Sequence, residues 1–564
     1  MDSQRPFLYI TLVFLGFLLW VNWQSFNAPP PKPTAATATM STPDANVVSD
    51  NTNTVPSQPT APEFVSNTNN NTAQQQQSNP NEQLIRVRTD VLDMQISTMG
   101  GDFVVADLPT YPVSLEQKDS PVRILDRAGE GYVAQSGLLA RGENAASRAP
   151  THQTLFSVEK TEYTLEEGQD ELIIPLLWQS QDGVQVTKLY RFKRGHFDVD
   201  VEHRIQNKST QPWSGTEYRQ LQHGPVPPPA GGFLTSGVRA FVGGAYYADG
   251  KYQRMPFDDM AEKLNIATEG GWVSMLEHYF ISAWIPPQDM KGSYYTQEIG
   301  QDLSRRYILG MHSAVLQVAP GQSGHFYSKL WVGPKLQDDL EVLAKGLDLT
   351  VDYGIFAFIS KPIFWVMQWI YVLVGNWGWT IIFLTLLIKL LFFWPSAASY
   401  KSMAKMKAVA PKLKEINDRY ANDPQGKQKA MMEIYRKEKI NPLGGCLPIL
   451  IQIPVFMGLY WVLLESVELR QASWLLWYQD LSIRDPYFAL PIIMGVSMFV
   501  QQKLNPPPAD PMQQKIFQFL PLIFTFMFLW FPAGLVLYWV VNNILSIAQQ
   551  WFINNKIIGK PKTE

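Results

Sequence analysis

The chain has 564 residues but only one cysteine, Cys446, so intramolecular disulfides and cysteine-ligated metal clusters are excluded. Its seven histidines all lie at or before His325, ahead of the apolar last third of the sequence. A histidine proton relay or a histidine metal site inside that apolar third is therefore excluded. Gly444-Gly445 is not part of a phosphate-binding loop. These absences predict no cofactor, no metal site and no catalytic residue.

Charge is scarce in the hydrophobic stretches, which makes Lys389 conspicuous inside the apolar run Trp379–Trp394. A cation on a membrane-spanning helix costs at least about 2.5 kcal/mol, so such residues usually face water, a partner or a functional cavity. No acidic partner lies deep in the apolar runs, because Glu465 is at the far end of its run. Either Lys389 snorkels to lipid headgroups, or it lines a polar cavity that reaches in from the cytoplasm.

The amino-terminal residues 1–26 predict a transmembrane anchor. The apolar stretch Phe7–Trp23 is long for a signal peptide, and no small-x-small cleavage pair follows it. Residues 27–83 are rich in Pro, Thr, Ala, Asn, Ser and Gln, with hardly any charge. Such a segment cannot bury enough apolar surface to fold, which predicts a disordered polar linker.

Residues 84–350 alternate between apolar and polar side chains, as β-strands do, and predict an antiparallel β-sandwich. Val184–Phe192 and Phe197–Ile205 predict a hairpin around the turn Lys193–His196. His203, on the apolar side of its strand, is expected to be a core residue rather than a ligand. Glu277 and His278 suggest an acid and base pair, but solvated carboxylates and histidines are common in sheets without catalytic meaning.

The long apolar region 355–394 must contain a break, because a single helix of its 40 residues would be about 60 Å long, twice the thickness of a membrane core of about 30 Å. The segment Gly375–Gly378 is the expected break. Residues 351–375 then predict an amphipathic helix in the membrane interface, and Trp377–Ala398 predicts a span.

Four more spans follow from the remaining apolar runs. They are Cys446–Ser466, Pro486–Val500, Ile516–Trp530 and the run that ends at Phe552, with a turn at Phe531–Gly534 before the last one. With the amino-terminal anchor the total is six, and residues 376–552 form the helical core. Two of these spans have only about 15 apolar residues, or about 22 Å of helix, which predicts local thinning of the membrane.

Loop charge predicts the orientation of the spans. The segment 399–445 has eleven Lys and Arg against five acidic residues, a net charge of +6, and is expected in the cytoplasm. The segment Val467–Asp485 has a net charge of −1, which fits the opposite side. The tail 553–564 is expected in the cytoplasm. Both termini are then cytoplasmic, and the β domain is periplasmic.

The basic segment also predicts a helical hairpin at residues 399–440, with a turn at Asn422–Gly426. Two interpretations stay open. The charge marks a solvated cytoplasmic loop, or it forms a docking surface for acidic partners or ribosomal RNA. The basic residues singled out on its surface are Lys405, Lys407, Lys412, Lys414 and Arg419.

Several short sequence motifs are similar to those of a known protein family. They are Val374-Gly-Asn-Trp-Gly378, Ser402-Met-Ala-Lys-Met406, Asn441-Pro-Leu-Gly-Gly-Cys446, Ile451-Gln-Ile-Pro454, Ser466-Val-Glu-Leu-Arg-Gln-Ala472, Asp510-Pro-Met-Gln-Gln-Lys515 and Leu529-Trp-Phe-Pro-Ala-Gly-Leu-Val-Leu-Tyr538. Together they resemble the YidC membrane protein insertase family of Gram-negative bacteria. The resemblance covers the whole chain and is strongest from about Leu330 onward.

This resemblance implies a polytopic α-helical membrane protein with six transmembrane helices, five of them forming the core, and a periplasmic antiparallel β-supersandwich domain. It also implies a groove with one positive residue, which maps onto Lys389 where many relatives have arginine. Thr385, Gln452 and Tyr538 match groove or client-contact positions. Trp539 stands where a second tyrosine is common, which puts a hydroxyl role there in doubt.

The implied function is a membrane protein insertase or chaperone of the cell inner membrane that acts alone or with the Sec translocon. The implied partners are nascent inner-membrane proteins, SecYEG and SecDF, the ribosome, the signal recognition particle receptor and membrane lipids. Two alternatives are a small-solute transporter and a membrane-anchored periplasmic carbohydrate-binding protein or sugar-modifying enzyme. A transporter would usually show paired intramembrane ligands and internal repeats, and this sequence has neither.

Overall fold

A computed structural model describes residues 81–142, 145–226, 241–262, 264–420, 423–438, 447–505 and 511–553. The predicted anchor, nearly all of the linker and the tail from residue 554 onward lie outside the described residues. The chain divides into two compact units, one of which includes residues 416–432. The other comprises residues 79–415 and 433–564, and holds the β domain together with most of the helices.

The β domain contains nineteen strands within the described residues. They are β1 (Leu84–Arg88), β2 (Asp93–Ser97), β3 (Phe103–Pro112), β4 (Pro121–Asp126), β5 (Val133–Ala140), β6 (Glu162–Thr164), β7 (Glu171–Gln179), β8 (Val184–Lys193), β9 (Asp198–Asn207), β10 (Trp213–His223), β11 (Gly243–Ala248), β12 (Lys251–Met255), β13 (Asn265–Glu269), β14 (Trp272–Leu276), β15 (Phe280–Ile285), β16 (Lys291–Ile299), β17 (Arg306–Ser313), β18 (Leu316–Val318) and β19 (Ser323–Pro334).

These strands form two sheets. The eleven-stranded sheet has the order β13-β16-β17-β10-β5-β3-β2-β1-β6, with β18 beside β10 and β4 beside β3. The eight-stranded sheet has the order β12-β11-β14-β15-β19-β9-β8-β7. The predicted antiparallel pairing holds except between β1 and β6, which pair in parallel. Parallel pairing requires a long connection, and four strands separate β1 from β6 in sequence.

The predicted hairpin is confirmed as β8 and β9, with Val184 opposite Asn207 and Phe192 opposite Val199. Gly195 in its turn has a φ of +73°, a left-handed conformation that glycine adopts without a Cβ clash. Every second residue of β8 is buried, as its alternating pattern indicated. Pro175 is tolerated in β7 because β7 is an edge strand, where a missing backbone donor breaks no inner ladder.

Buried charged groups in the β domain have polar partners around Glu217 and Lys188. His203 is fully buried, as expected of a core residue, and its Nδ1 lies 2.7 Å from a Glu217 carboxylate oxygen. The Arg219 guanidinium donates to the other oxygen of Glu217. Burial opposes ionisation of Glu217, but Arg219 and His203 outweigh it and lower the pKa of the carboxyl group. Lys188, also buried, donates to the Gly100 and Ser136 carbonyls at 2.8 and 3.0 Å.

Nine α-helices follow in the described residues. They are α1 (Gln337–Leu343), α2 (Ala357–Val374), α3 (Trp377–Leu391), α4 (Phe393–Arg419), α5 (Pro424–Lys437), α6 (Leu447–Glu465), α7 (Ala489–Leu504), α8 (Pro511–Phe528) and α9 (Ala533–Phe552).

The break between α2 and α3 lies where the sequence predicts it. Gly375 ends α2 with a φ of +67°, and Asn376 caps α3 by accepting hydrogen bonds from the backbone of Gly378 and Trp379 at 3.0 and 3.2 Å. Gly378 leaves room for Trp474, because a Cβ there would lie 2.2 Å from the indole.

The predicted span Trp377–Ala398 is not one straight helix. Helix α3 stops at Leu391, and the chain bends by 68° before α4, which begins at Phe393. Pro395 explains the break, since it cannot donate the helical hydrogen bond to the Leu391 carbonyl but is accepted in the first turn of a new helix. The first helix of the predicted hairpin therefore begins six residues before residue 399.

Helix α9 packs against α3 and α7, while α2 packs against α6 and α3. Among the described residues, Gly354–Val374 is the one helix that is long and apolar enough to cross a membrane, and the bent pair α3–α4 counts as a second. The predicted placement of this first helix in the interface stays a prediction, as does the count of six spans.

The β domain contacts the helical part through the segment after α6. The Arg470 guanidinium donates to the carbonyls of Pro112 and Val113 at 2.7 and 3.0 Å. His278 Nε2 lies 3.0 Å from the Leu464 carbonyl. The Tyr353 hydroxyl lies 3.2 Å from the Ser466 hydroxyl. These contacts hold residues 464–471 against the β domain.

Candidate functional site: a polar seam between helices

Lys389 lies near the end of α3, next to α9. Its ammonium group donates to the Ser546 hydroxyl at 2.7 Å. Ser546 in turn donates to the Asn542 carbonyl at 2.7 Å, and the Tyr400 hydroxyl also faces it. Within the part of the chain that the structure describes, no carboxylate pairs with Lys389. The Lys389 ammonium is therefore held by a neutral oxygen rather than by a carboxylate.

This geometry bears on the two interpretations of Lys389. The ammonium donates to a hydroxyl on the neighbouring helix α9. Lys389 is twelve residues from the start of α3, about 18 Å along its axis. The side chain is partly buried at this depth. The contact with Ser546 is what the structure adds, and the two interpretations stay predictions.

A second polar contact lies close to the first on α9. The Asn543 amide donates to the Ser497 hydroxyl of α7 at 3.0 Å, and Ser497 donates to the Met494 carbonyl at 2.7 Å. Polar side chains thus occur at the contacts of α9 with both α3 and α7. We call this set the polar seam. It consists of Lys389, Ser497, Asn542, Asn543 and Ser546.

Thr385 lies one turn from Lys389, as its spacing of four residues indicates. It is buried, and its hydroxyl donates to the Ile381 carbonyl of its own helix at 2.6 Å. Thr385 thus lies on the same face of α3 as Lys389, but its hydroxyl is already satisfied.

Gln452, Tyr538 and Trp539 form a separate cluster. The Tyr538 hydroxyl is buried and faces the Gln452 side chain, without a well-formed hydrogen bond to any described residue. The Trp539 ring lies against Phe456 at 4.7 Å between centroids and against Phe528 at 5.3 Å. Trp539 therefore packs among aromatic rings, in a position where a hydroxyl would find few partners.

The basic residues of the predicted hairpin lie on α4. Lys405, Lys407 and Lys412 are exposed, and Lys412 forms a 2.9 Å ion pair with Glu438. Arg419 is also exposed. The Lys414 side chain lies outside the described part of the chain. Exposure of these cations fits both a solvated loop and a docking surface.

Sequence reasoning did not single out Ser546 as the partner of Lys389. A signal was present, because Tyr538, Asn542 and Ser546 recur every four residues and so share one face of α9. It also did not assign a role to the string Ser466–Ala472, which holds the β domain through Arg470.

The comparisons with known proteins agree with this architecture. Residues 84–366 match the model of the YidC periplasmic domain, and residues 369–560 match that of the 60Kd inner membrane protein. The chain is 51% identical to the membrane protein insertase YidC of Thioalkalivibrio sulfidiphilus, over 99% of both chains. It is 47% identical to that of Methylococcus capsulatus, again over 99% of both.

Among solved structures, an active YidC insertase crystal structure with the first transmembrane domain resolved is 16% identical. The match covers 83% of the present chain and 94% of the crystallised chain, with a TM-score of 0.37. The assignment depends on the two family models and the full-length relatives. The chain belongs to the YidC family, a family of inner-membrane proteins that act as membrane protein insertases and not as enzymes.

Proposed function

We propose that this chain inserts newly made membrane proteins by drawing a hydrophilic segment of the client to the polar seam, part-way across the membrane. The observation that carries the proposal is the contact of Lys389 with Ser546, a neutral partner. A carboxylate partner would cancel the charge, whereas a hydroxyl leaves it free to attract an acidic client segment.

The attraction between Lys389 and an acidic client residue is comparable in size to the cost of placing that residue in the membrane. Two opposite charges about 4 Å apart interact by about 4 kcal/mol at an effective dielectric constant of about 20. Placing an acidic residue at the centre of a membrane helix costs about 2.5–3.5 kcal/mol. One cation in the seam therefore offsets the cost of roughly one acidic residue in the client's translocated tail.

The client helix then leaves the seam into lipid along α3 together with α7 or α9. Both α3 and α7 present apolar side chains outward, among them Leu387 at 45% and Val496 at 58% exposure. Helix α7 has 16 residues, about 24 Å, which is shorter than a hydrocarbon core of about 30 Å. A locally thinned membrane would shorten the barrier that the client crosses.

The topology that we propose has the β domain in the periplasm and both termini in the cytoplasm. Its support is that Arg470, which follows α6, contacts the β domain, so the loop from 467 to 485 lies on the β domain's side. The opposite helix ends then face the cytoplasm, where the basic segment 399–445 is expected. Six spans, with the anchor in residues 1–26, complete this topology.

The cytoplasmic segment is the proposed contact for the ribosome and the signal recognition particle receptor. Exposed Lys405, Lys407 and Lys412 favour acidic or nucleic-acid partners by charge. SecYEG and SecDF are proposed partners for clients that need the translocon.

The test is reconstitution of the purified chain into liposomes with a ribosome-synthesised client that has a short acidic tail. Insertion is scored by protection of the client from protease. We expect Lys389→Arg to insert as wild type does and Lys389→Glu to lose insertion, because reversal repels the tail.

A matched control is Lys361→Glu, which reverses a lysine of α2 outside the seam that pairs with Asp348. It should insert normally. Equal activity of Lys389→Glu and Lys389→Arg would disprove the role of charge in the seam, while loss in the control as well would indicate a general folding defect.

A further inference from the structure

Three side chains from distant parts of the sequence converge on the β domain. Glu130 lies in the turn after β4, His223 ends β10, and Glu277 directly follows β14. One ligand atom from each lies within 4.8 Å of the other two. In a tetrahedral zinc site with bonds of about 2.0–2.1 Å, ligand atoms are about 3.4 Å apart, so the three need to approach by only about 1.4 Å.

The orientation of the His223 ring suits a metal ligand. Its Nδ1 lies 2.8 Å from the Gly224 carbonyl, which only accepts hydrogen bonds, so Nδ1 carries the hydrogen and donates. Nε2 then presents its lone pair, with a Glu130 carboxylate oxygen 3.6 Å away. A carbonyl that fixes the second ring nitrogen in this way is typical of metal-binding histidines. A lone pair that faces carboxylates is repelled unless a cation lies between them.

The surroundings hold the His223 ring and the backbone of Glu130 in place. The His223 ring packs between Tyr132 and Phe257, with centroid distances of 4.5 and 5.1 Å. The Gly224 backbone donates to the Glu130 carbonyl at 2.8 Å. A Cβ on Gly224 would lie 2.3 Å from that carbonyl oxygen, so this approach requires glycine. Ligands held in this way bind a metal with little loss of conformational freedom.

Glu277 is the ligand without a hydrogen-bond donor among the described residues. Its side chain is partly buried, and Lys335 is the cation nearby. A carboxylate that is shielded from water normally has hydrogen-bond donors as well, and a bound metal ion would take their place. Glu130, by contrast, is 62% exposed and leaves the cluster open to ions from solvent.

We propose that Glu130, His223 and Glu277 bind one zinc-type divalent ion, with water as a fourth ligand on the open side. The neighbouring Arg306, whose guanidinium lies beside Gly131 and Gly224, places a positive charge next to His223. This weakens purely electrostatic binding of Ca²⁺ or Mg²⁺, whereas zinc also bonds to the imidazole nitrogen. The ion would link β10, the turn after β4 and the end of β14, next to the His278 contact with Leu464.

The test is calorimetric titration of the full chain in detergent, without an affinity tag, with Zn²⁺ and separately with Mg²⁺. We expect one Zn²⁺ per chain, at least tenfold weaker zinc binding in His223→Gln and Glu277→Gln, and weak Mg²⁺ binding. X-ray absorption should report one nitrogen and two carboxylate oxygens at about 2.0–2.2 Å from zinc. Zinc should raise the Tm of the wild type but not of the two variants.

The matched control is His196→Gln, which removes an exposed histidine 3.2 Å from Asp198 and should leave zinc affinity unchanged. Glu130→Gln alters an exposed side chain, so it tests the site even if the buried variants misfold, and it should also weaken binding tenfold. The proposal is overturned if wild type binds no zinc, if Glu130→Gln binds as wild type does, or if Mg²⁺ binds more tightly than Zn²⁺.

Discussion

Two cations, Arg219 in the β domain and Lys389 in the helical core, have opposite kinds of partner. In the β domain, Arg219 is fully buried and donates to the Glu217 carboxylate, which His203 also contacts. In the helical core, Lys389 donates to the neutral hydroxyl of Ser546, and no carboxylate among the described residues pairs with it. Pairing within a core neutralises charge and fixes the packing, whereas a cation without an acidic partner is available to something outside the chain. This difference is the reason for proposing a structural role for Arg219 and a functional role for Lys389.

The largest expected effect comes from removing the buried ion pair between Arg219 and Glu217. Arg219→Met should lower the free energy of unfolding by about 3–5 kcal/mol. The substitution leaves the buried Glu217 carboxylate without its cation, with His203 as its remaining side-chain partner. Thermal unfolding of the full chain in detergent measures it. A change below about 1 kcal/mol, within the range of an exposed ion pair, would mean that Arg219 is not a structural charge.

A carboxylate at the junction of the two regions should give a pH-dependent effect. Burial raises the pKa of Glu468 to about 7, and Asp338 and Asp339 add to the rise. A raised carboxyl pKa contributes stability that is present below the ordinary value of about 4.3 and is lost as pH rises through 7.

Glu468→Gln should therefore stabilise the chain by about 2 kcal/mol at pH 8 and by little at pH 5. Denaturation of both proteins at the two pH values measures this. Glu116→Gln is the control, since its carboxylate is exposed. An equal effect at both pH values would show that the Glu468 carboxylate does not ionise within this range.

Replacing Lys389 by a neutral residue should lower insertion activity while changing the stability of the chain little. Lys389→Met should reduce insertion of a client with an acidic tail by about tenfold, or about 1.4 kcal/mol, and change unfolding by less than about 1 kcal/mol. Protease protection and thermal unfolding of one preparation measure the two quantities. Strong destabilisation with normal insertion would reverse the assignment of Lys389 as a functional charge.

The smallest effect is expected at the partner of that cation. Ser546→Ala removes the hydroxyl that holds the ammonium but keeps the charge, so insertion should fall by about two- to fivefold, as expected for one hydrogen bond of about 0.5–1 kcal/mol. Lys389→Glu in the same assay sets the lower limit. If Ser546→Ala were as inactive as Lys389→Glu, the hydroxyl rather than the charge would be the main attraction.

Much of the fold follows from local patterns. The alternation in β8 and β9 predicts their hairpin, Gly375 and Asn376 mark a helix end and a helix cap, and Pro532 marks the turn before α9. The bend at Phe392 was missed, although Pro395 was a signal for it, because the apolar run continues through the bend and hydropathy does not record direction.

In the candidate site too, some features follow from the sequence and others only from the packing of the helices. Sequence identifies Lys389 as an unusual cation, since its cost in an apolar run depends on its immediate neighbours alone. That its partner is Ser546, 157 residues later, depends on the packing of α3 against α9. The same holds for Trp539, whose aromatic neighbours come from α6 and α8.

The sequence by itself determined the class of the protein, the strand and helix periodicities, the basic segment and the position of Lys389 in an apolar run. These depend on composition and on spacings of two to four residues, which any short segment carries within itself. The tertiary structure alone decided which residues meet, including Lys389 with Ser546 and Arg470 with Pro112. Contacts between distant segments depend on how whole helices and sheets pack, and no local spacing encodes that.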